Sequence, residues 1–322
     1  MNDPSHSSNN TAINQTSSVR LSVTDKIREL FDLSLFAVER VLSNQSSDEV
    51  VRTLEEYGQY ATAYLDAELQ DLRIVEIGFG ARPWRVAALR ALGADVWGID
   101  LDRPMLNGGW SEMAQVRRQN GLERALKSAF RFHVLDRFEK RQIARKLSCK
   151  LDLGSVADRL IVGDASDAAT WDKMGDRPVD ICISEDVFEH IPAERLPPLC
   201  RIMASRMAKS SLALIRPCVF TGITGGHLAE WFAPEVDKPR RRRSAPWEHL
   251  RADRYRPNTY LNRLRLADYR NIFSEHFQII EEVPLQKRLG VQYLANEVRK
   301  ELCKYAEEEL FSNNILFVLQ KK

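Results

Sequence analysis

The sequence predicts an α/β protein, a seven-stranded, mostly parallel sheet with helices on both faces. Three observations predict it. Seven apolar runs of strand length lie between residues 73 and 320. Helical patterns separate most of them, and such alternation builds a parallel sheet with crossover connections. The first run ends in a Gly-x-Gly turn and the second in an acid, the outline of a nucleotide-binding unit.

The first twenty residues, "MNDPSHSSNNTAINQTSSVR", are rich in Ser, Asn and Thr and lack an apolar core. They read as a disordered tail and not as a signal peptide. Residues 21–70 read as a helical cap. Ile27, Leu30, Phe31, Leu35, Val38 and Val41 recur at helical spacing. After a Ser/Asn break at 43–47, a second pattern runs through Val50, Leu54, Tyr57 and Tyr60. The remaining 71–322 form the main domain.

Its strands are expected at "RIVEIG" (73–78), "DVWGID" (95–100), "RLIVGD" (159–164), "VDICIS" (179–184), "SSLALIRP" (210–217), "FQIIEEV" (277–283) and "NILFVLQ" (314–320). The clearest helices fall at 83–92 and 193–208. Two insertions, about 103–158 and 218–276, are too long for simple loops. The first should hold one or two helices in "ALKSAFRFHVLDRFEKRQIARKL". The last two strands are expected to pair as neighbours, with a helical insert between them.

The composition, 44% hydrophobic and 29% charged, is that of a soluble globular protein. No window approaches the roughly eighteen apolar residues of a membrane span, so no membrane partner is expected. A net charge of +2 decides nothing about nucleic acid. The five cysteines, Cys149, Cys182, Cys200, Cys218 and Cys303, are scattered and form no CxxC. That argues for reduced thiols in a cytoplasmic protein and against a zinc site or disulfide framework; no metal is expected.

Gly78 and Gly80 let the chain turn sharply and approach a ligand closely. Pro83 suits the first turn of the following helix, whose free N–H groups face whatever lies there. Asp100, at the end of the second strand, can accept hydrogen bonds from both hydroxyls of a ribose. A dinucleotide fingerprint would need a third glycine where Pro83 stands. Glu76, two residues before Gly78, sits awkwardly with a pyrophosphate and suits a cationic ligand such as the amino group of a methionine moiety. A nicotinamide dehydrogenase is disfavoured on both counts.

These residues resemble the class I S-adenosylmethionine-dependent methyltransferases, a Rossmann-like family. Glu76-Ile77-Gly78-Phe79-Gly80 matches the family's (E/D)-x-G-x-G motif; Arg82 stands where a third glycine is frequent. Further motifs are met by Asp100 in "GIDLD", by Asp164 in "GDASD" and by Glu189-His190 in "SEDVFEHIP". The resemblance covers about 70–220. It implies S-adenosyl-L-methionine as cofactor, held by Glu76, Gly78, Phe79, Gly80 and Asp100. Leu101 would lie on the adenine side, Asp164 and the Ala165 amide at the adenine edge, and Glu185 near the cofactor.

Methyl transfer from a sulfonium is an in-line displacement that needs alignment and exclusion of water; a base is needed only for some acceptors. His190 is the first base candidate, with a role in capping the helix start as its competitor. His227 in "TGGHLAEW" is the second, on a loop suited to closing over an acceptor. Trp231, Trp247 and His249 are candidate acceptor contacts. Arg241 and Arg242, in the run "KPRRRRSAPWEHLR", could hold an anionic group. The expected function is methylation of oxygen or nitrogen on a small-molecule acceptor. The segments between 249 and 277 look similar to methyltransferases of sugar, polysaccharide or secondary-metabolite pathways. The alternatives are an RNA- or protein-modifying methyltransferase using 238–256, and a non-catalytic cofactor-binding protein. The absence of (N/D)PP(Y/F) after the fourth strand argues against methylation of planar amino groups.

Overall fold

The computed structural model describes residues 35–239, 242–251 and 259–322. The 1–20 tail therefore lies outside the described residues. Seven strands form one sheet: β1 (Arg73–Ile77), β2 (Asp95–Asp100), β3 (Leu160–Val162), β4 (Val179–Glu185), β5 (Met207–Arg216), β6 (Phe277–Pro284) and β7 (Ile315–Lys321). Their order is β3-β2-β1-β4-β5-β7-β6. Neighbours from β3 to β5 pair in parallel, and β7 runs antiparallel to both β5 and β6. The expected α/β, mostly parallel architecture is the one observed, down to the pairing of the last two strands.

The helices of eight or more residues between 45 and 274 are α1 (Gln45–Leu65), α2 (Trp84–Ala91), α3 (Trp110–Asn120), α4 (Leu122–Val134), α5 (Asp136–Lys146), α6 (Leu196–Arg206) and α7 (Leu266–Ser274). The segment of the first insertion expected to hold one or two helices holds two, α4 and α5, and α3 precedes them. The insert between β6 and β7 is helical as expected, in short pieces that include the α-helices Asn296–Glu301 and Glu307–Leu310.

β1 is buried along its whole length, as a central parallel strand covered on both faces must be. One face packs Ile74, Ile181 and Leu212 against α1 and α2; the other packs Val75, Cys182 and Ala213 against α6 and α7. In α1, Val50, Leu54, Tyr57 and Ala61 recur along one face and join the first of these cores. Each large apolar side chain so buried contributes about 1.5–3 kcal/mol. Residues 45–65 of the predicted cap are therefore a layer of the main core, and its residues 21–34 lie outside the described residues. A third cluster, with Trp231, Trp247, Leu289, Leu302 and Phe311, is built from the second insertion and the segment before β7. No helix among the described residues is long and apolar enough to cross a membrane.

Candidate active site

The strand order reverses between β1 and β4, and in open α/β sheets ligands bind at the carboxyl ends of the strands beside such a switch point. The glycine turn lies there. Gly78 has φ +79° and Gly80 φ +68°, both left-handed. A Cβ on Gly78 would come within 2.2 Å of the Val187 side chain, whereas one on Gly80 would meet nothing within 4 Å. The two glycines thus serve different ends. Gly78 lets the turn pack under the β4 loop, and Gly80 leaves an open approach. Gly78→Ala should cost roughly 3 kcal/mol of stability through backbone strain and overpacking, and Gly80→Ala about 1 kcal/mol. Chemical denaturation of the two variants checks the difference.

Asp100 closes this turn. Its Oδ2 accepts the Gly80 N–H at 2.7 Å and its Oδ1 the Asp102 N–H at 2.8 Å. Burial pushes its pKa up to about 6, against the Gly80 amide and Arg124, which favour the charged form. Each carboxylate oxygen keeps a further lone pair for a ligand. Leu101, beside it, is exposed. Asp164 binds the Ser166 amide and hydroxyl through Oδ1 and lies 3.7 Å from Arg195. The Ala165 carbonyl accepts the Trp171 indole N–H. The Phe79 ring is buried against Gly98, so only its backbone can face a ligand.

Glu76 is less free than the sequence suggests. Arg85, on the first turn of α2, holds its Oε1 at 2.6–2.7 Å. Its Oε2 is buried without a hydrogen-bond partner. Burial raises its pKa and Arg85 opposes that rise.

Glu185 is also engaged within the protein. It accepts from Tyr57 of α1 at 2.7 Å and from Arg216, at the end of β5, at 3.0 and 3.2 Å. Arg216 reaches Glu56 as well, at 2.5 Å. The expectation that Glu185 contacts a cofactor is replaced by a buried ion-pair network that ties α1 to β4 and β5. Arg82 pairs with Glu139 and lies 3.6 Å from Asp136, both on α5, and Ser46 donates to the same Glu139. The first insertion thereby holds the glycine turn from outside.

A cavity of about 850 Å³ opens beside the ends of β4 and β5; Glu49, Arg52, Asp186, His190, Thr224 and His227 are among its lining residues. A smaller one, about 230 Å³, borders the glycine turn, with Gly80, Arg82, Arg85 and Arg131 in its wall. Arg40 and Glu49 line both. His190 and His227 are thus brought together, their ring centroids 5.0 Å apart. His190 Nδ1 lies 2.9 Å from the Tyr260 carbonyl. A carbonyl only accepts, so Nδ1 carries the proton and Nε2 its lone pair. Burial lowers the His190 pKa and, with His190 and His249 adding to it, depresses that of His227 to about 3. So weak a base is poorly matched to taking a proton at neutral pH. Glu189, beside them, is buried, and burial with the nearby Asp186 raises its pKa well above the usual carboxylate range.

The expected acceptor contacts are corrected. Trp247 is fully buried against Phe311, and Trp231 packs edge-on to Tyr293 while its indole N–H donates to Ser244. Both rings belong to the third core and cannot stack on an acceptor. Arg242 donates to the carbonyls of Glu235 and Val236 and to the Tyr293 hydroxyl, with its guanidinium over Trp231. It clamps the insertion and is not free to hold an anion. His249 is hydrogen-bonded to the Phe220 carbonyl and packed under Gly226. Arg241 lies outside the described residues. The residues that sequence reasoning missed are Tyr57, Arg85, Asp186 and Arg216. Arg85 alone has a local signal, a cation on the first turn of the helix after an acid-bearing strand.

No family model and no curated protein sequence matches the chain. Several solved structures resemble it remotely. A SAM-dependent methyltransferase from Archaeoglobus fulgidus is 15% identical, over 84% of this chain and 94% of that one, with a TM-score of 0.40. Magnesium protoporphyrin IX methyltransferase from Synechocystis, with bound SAH, is 14% identical over 84% and 82%, at 0.39. Geranyl diphosphate C-methyltransferase from Streptomyces coelicolor is 12% identical over 83% and 76%, at 0.41.

Proposed function

We propose that this chain is a methyltransferase that binds S-adenosylmethionine at the glycine turn and methylates oxygen or nitrogen of a small-molecule acceptor held in the large cavity. The observation that carries this reading is the closure of the Gly80 turn by Asp100 at the switch point, where the turn borders the smaller cavity, which shares Arg40 and Glu49 with the large one. The residues present fit such a donor. Gly80 leaves space for close approach, Asp100 retains lone pairs for two ribose hydroxyls, and Glu76 has one buried orphan oxygen suited to an ammonium group. In the transfer, an acceptor lone pair forms the bond to the methyl carbon while the carbon–sulfur pair stays on sulfur. An acceptor proton, where there is one, passes to a base or to water.

Acids outnumber arginines in the cavity wall, with Asp48, Glu49, Glu55 and Asp186 against Arg40 and Arg52. This favours a neutral or cationic polar acceptor over the anionic one that the arginine run suggested. A cytoplasmic location goes with the reading, supported by five cysteines without disulfide partners. Calorimetry with S-adenosylmethionine, followed by a screen of small metabolites with radiolabelled donor, tests the function. Binding and label transfer are expected. A folded chain that binds no donor would refute the reading.

A further inference from the structure

Outside the glycine turn, the polar group least accounted for is the Glu189 carboxylate. Glu189 lies in the short turn Phe188–His190 after β4 and is 2% exposed; no side chain hydrogen-bonds to its carboxylate, and only the backbone amides of Glu189 and Cys218 favour its charged form from close by. A buried carboxylate without a side-chain partner is costly. Facing it across 3.7 Å is His227 Nε2, itself buried and unpartnered. His227 has φ +52°, a left-handed backbone that a histidine adopts at a cost. Strain of this kind persists where the surroundings fix a side chain's direction. His190 completes the group. Its Nδ1–H is spent on the Tyr260 carbonyl, which fixes the tautomer and leaves Nε2 a lone pair. Metal-bound histidines are oriented in this way, with the second nitrogen donating to a carbonyl or carboxylate. One ligand atom from each of Glu189, His190 and His227 can be chosen so that all lie within 4.8 Å of one another. Cys218 Sγ, nearby, is engaged by Thr224 Oγ1 at 3.3 Å and stands outside the set.

We propose that Glu189, His190 and His227 bind a divalent first-row transition-metal ion at the rim of the large cavity. Two imidazoles and one carboxylate suit such an ion better than Mg²⁺ or Ca²⁺, which take oxygen donors. Three protein ligands leave coordination positions open, and His190 and His227 both line the cavity, so those positions face the acceptor space. The ion gives Glu189 and His227 the side-chain-level partner that each lacks. It also gives the cavity a Lewis acid that can hold an oxygen of the acceptor, which rests on the methyltransferase reading. Neither imidazole then serves as a base, since both lone pairs are on the metal.

The test uses Co²⁺ alone as probe, with purified chain first stripped by chelator and neither donor nor acceptor present. The wild type is expected to take up one Co²⁺, with a visible absorption band and a raised melting temperature. Glu189→Gln keeps the shape and removes the charge. His227→Asn keeps a residue that tolerates the left-handed backbone. Each is expected to weaken Co²⁺ binding by about a hundredfold or more, since even the loss of an outer-shell partner costs 10–100-fold. Circular dichroism establishes that each variant is folded. A wild type that takes up no Co²⁺, or folded variants that bind it as the wild type does, would overturn the proposal. Failure of the wild type to bind donor would strike the proposed function and leave the metal result standing.

Discussion

Asp100→Ala should weaken S-adenosylmethionine binding by at least about a hundredfold. Two ribose hydroxyls donating to a carboxylate contribute about 1.5–3 kcal/mol each, and 1.4 kcal/mol is a factor of ten. The substitution also frees the Gly80 amide, which Asp100 holds at 2.7 Å, so the turn loses its closure as well. A pH signature separates the two causes. Burial raises the Asp100 pKa from 3.8 to about 6 in the free protein. Hydroxyl donors need the ionised form, so wild-type affinity should fall about tenfold per pH unit below about 6. The stability linkage has the opposite sense. A carboxyl whose folded pKa is raised adds stability below its unfolded pKa and loses it as pH rises through the folded one. Acid therefore favours the free fold while it weakens donor binding. In Asp100→Ala the dependence on this group should vanish from both. Titration calorimetry at several pH values measures it, and unchanged affinity in a folded variant would remove Asp100 from the donor site.

The sheet was legible because buried parallel strands leave short apolar runs that few other structures produce. Strand ends agreed within a few residues, as for "RIVEIG" against Arg73–Ile77. The role of 45–65 was not legible. Val50, Leu54, Tyr57 and Ala61 announce an apolar helix face, but nothing local says that the sheet itself receives it. The same limit applies to Trp231 and Trp247. An aromatic beside charged residues reads as a stacking platform, and the partner that fills that role, Tyr293 or Phe311, is far along the chain. At the site, the sequence supplied the acids and not their counter-ions. Glu76 and Glu185 were visible as strand-end carboxylates; Arg85 follows Glu76 on the next helix, whereas Arg216 becomes the partner of Glu185 only once β4 and β5 are assembled. Glu189-His190 was visible as a pair, yet its third member, His227, comes from the loop after another strand. Metal sites with no CxxC-like spacing carry no such local mark.

Arg216→Met should lower stability by about 3–5 kcal/mol, the usual cost of removing one partner from a buried ion pair. Arg216 is 3% exposed and carries both Glu185 and Glu56. Without it, Glu185 stays buried with the Tyr57 hydroxyl as its remaining hydrogen-bond partner and Arg85 as a more distant cation, and its neighbour Asp186 also loses a cation. The melting temperature should drop by roughly 10 °C. The loss comes from an uncompensated charge and not from a missing contact, so it should be repairable. Glu185→Gln added to Arg216→Met removes that charge and keeps an acceptor for Tyr57; the double variant should recover at least half of the loss. pH gives an independent check. The Glu185 pKa is already raised above 4.5 by burial, with Arg216 the largest influence lowering it. Removing Arg216 raises it further. A raised carboxyl pKa contributes stability at low pH that is lost as pH rises through it. The gap between Arg216→Met and wild type should therefore narrow as pH falls from 7 towards 4.5, and it should widen on the way back. A gap independent of pH, or a double variant no more stable than the single one, would show that Arg216 acts through packing of its stem and not through its charge.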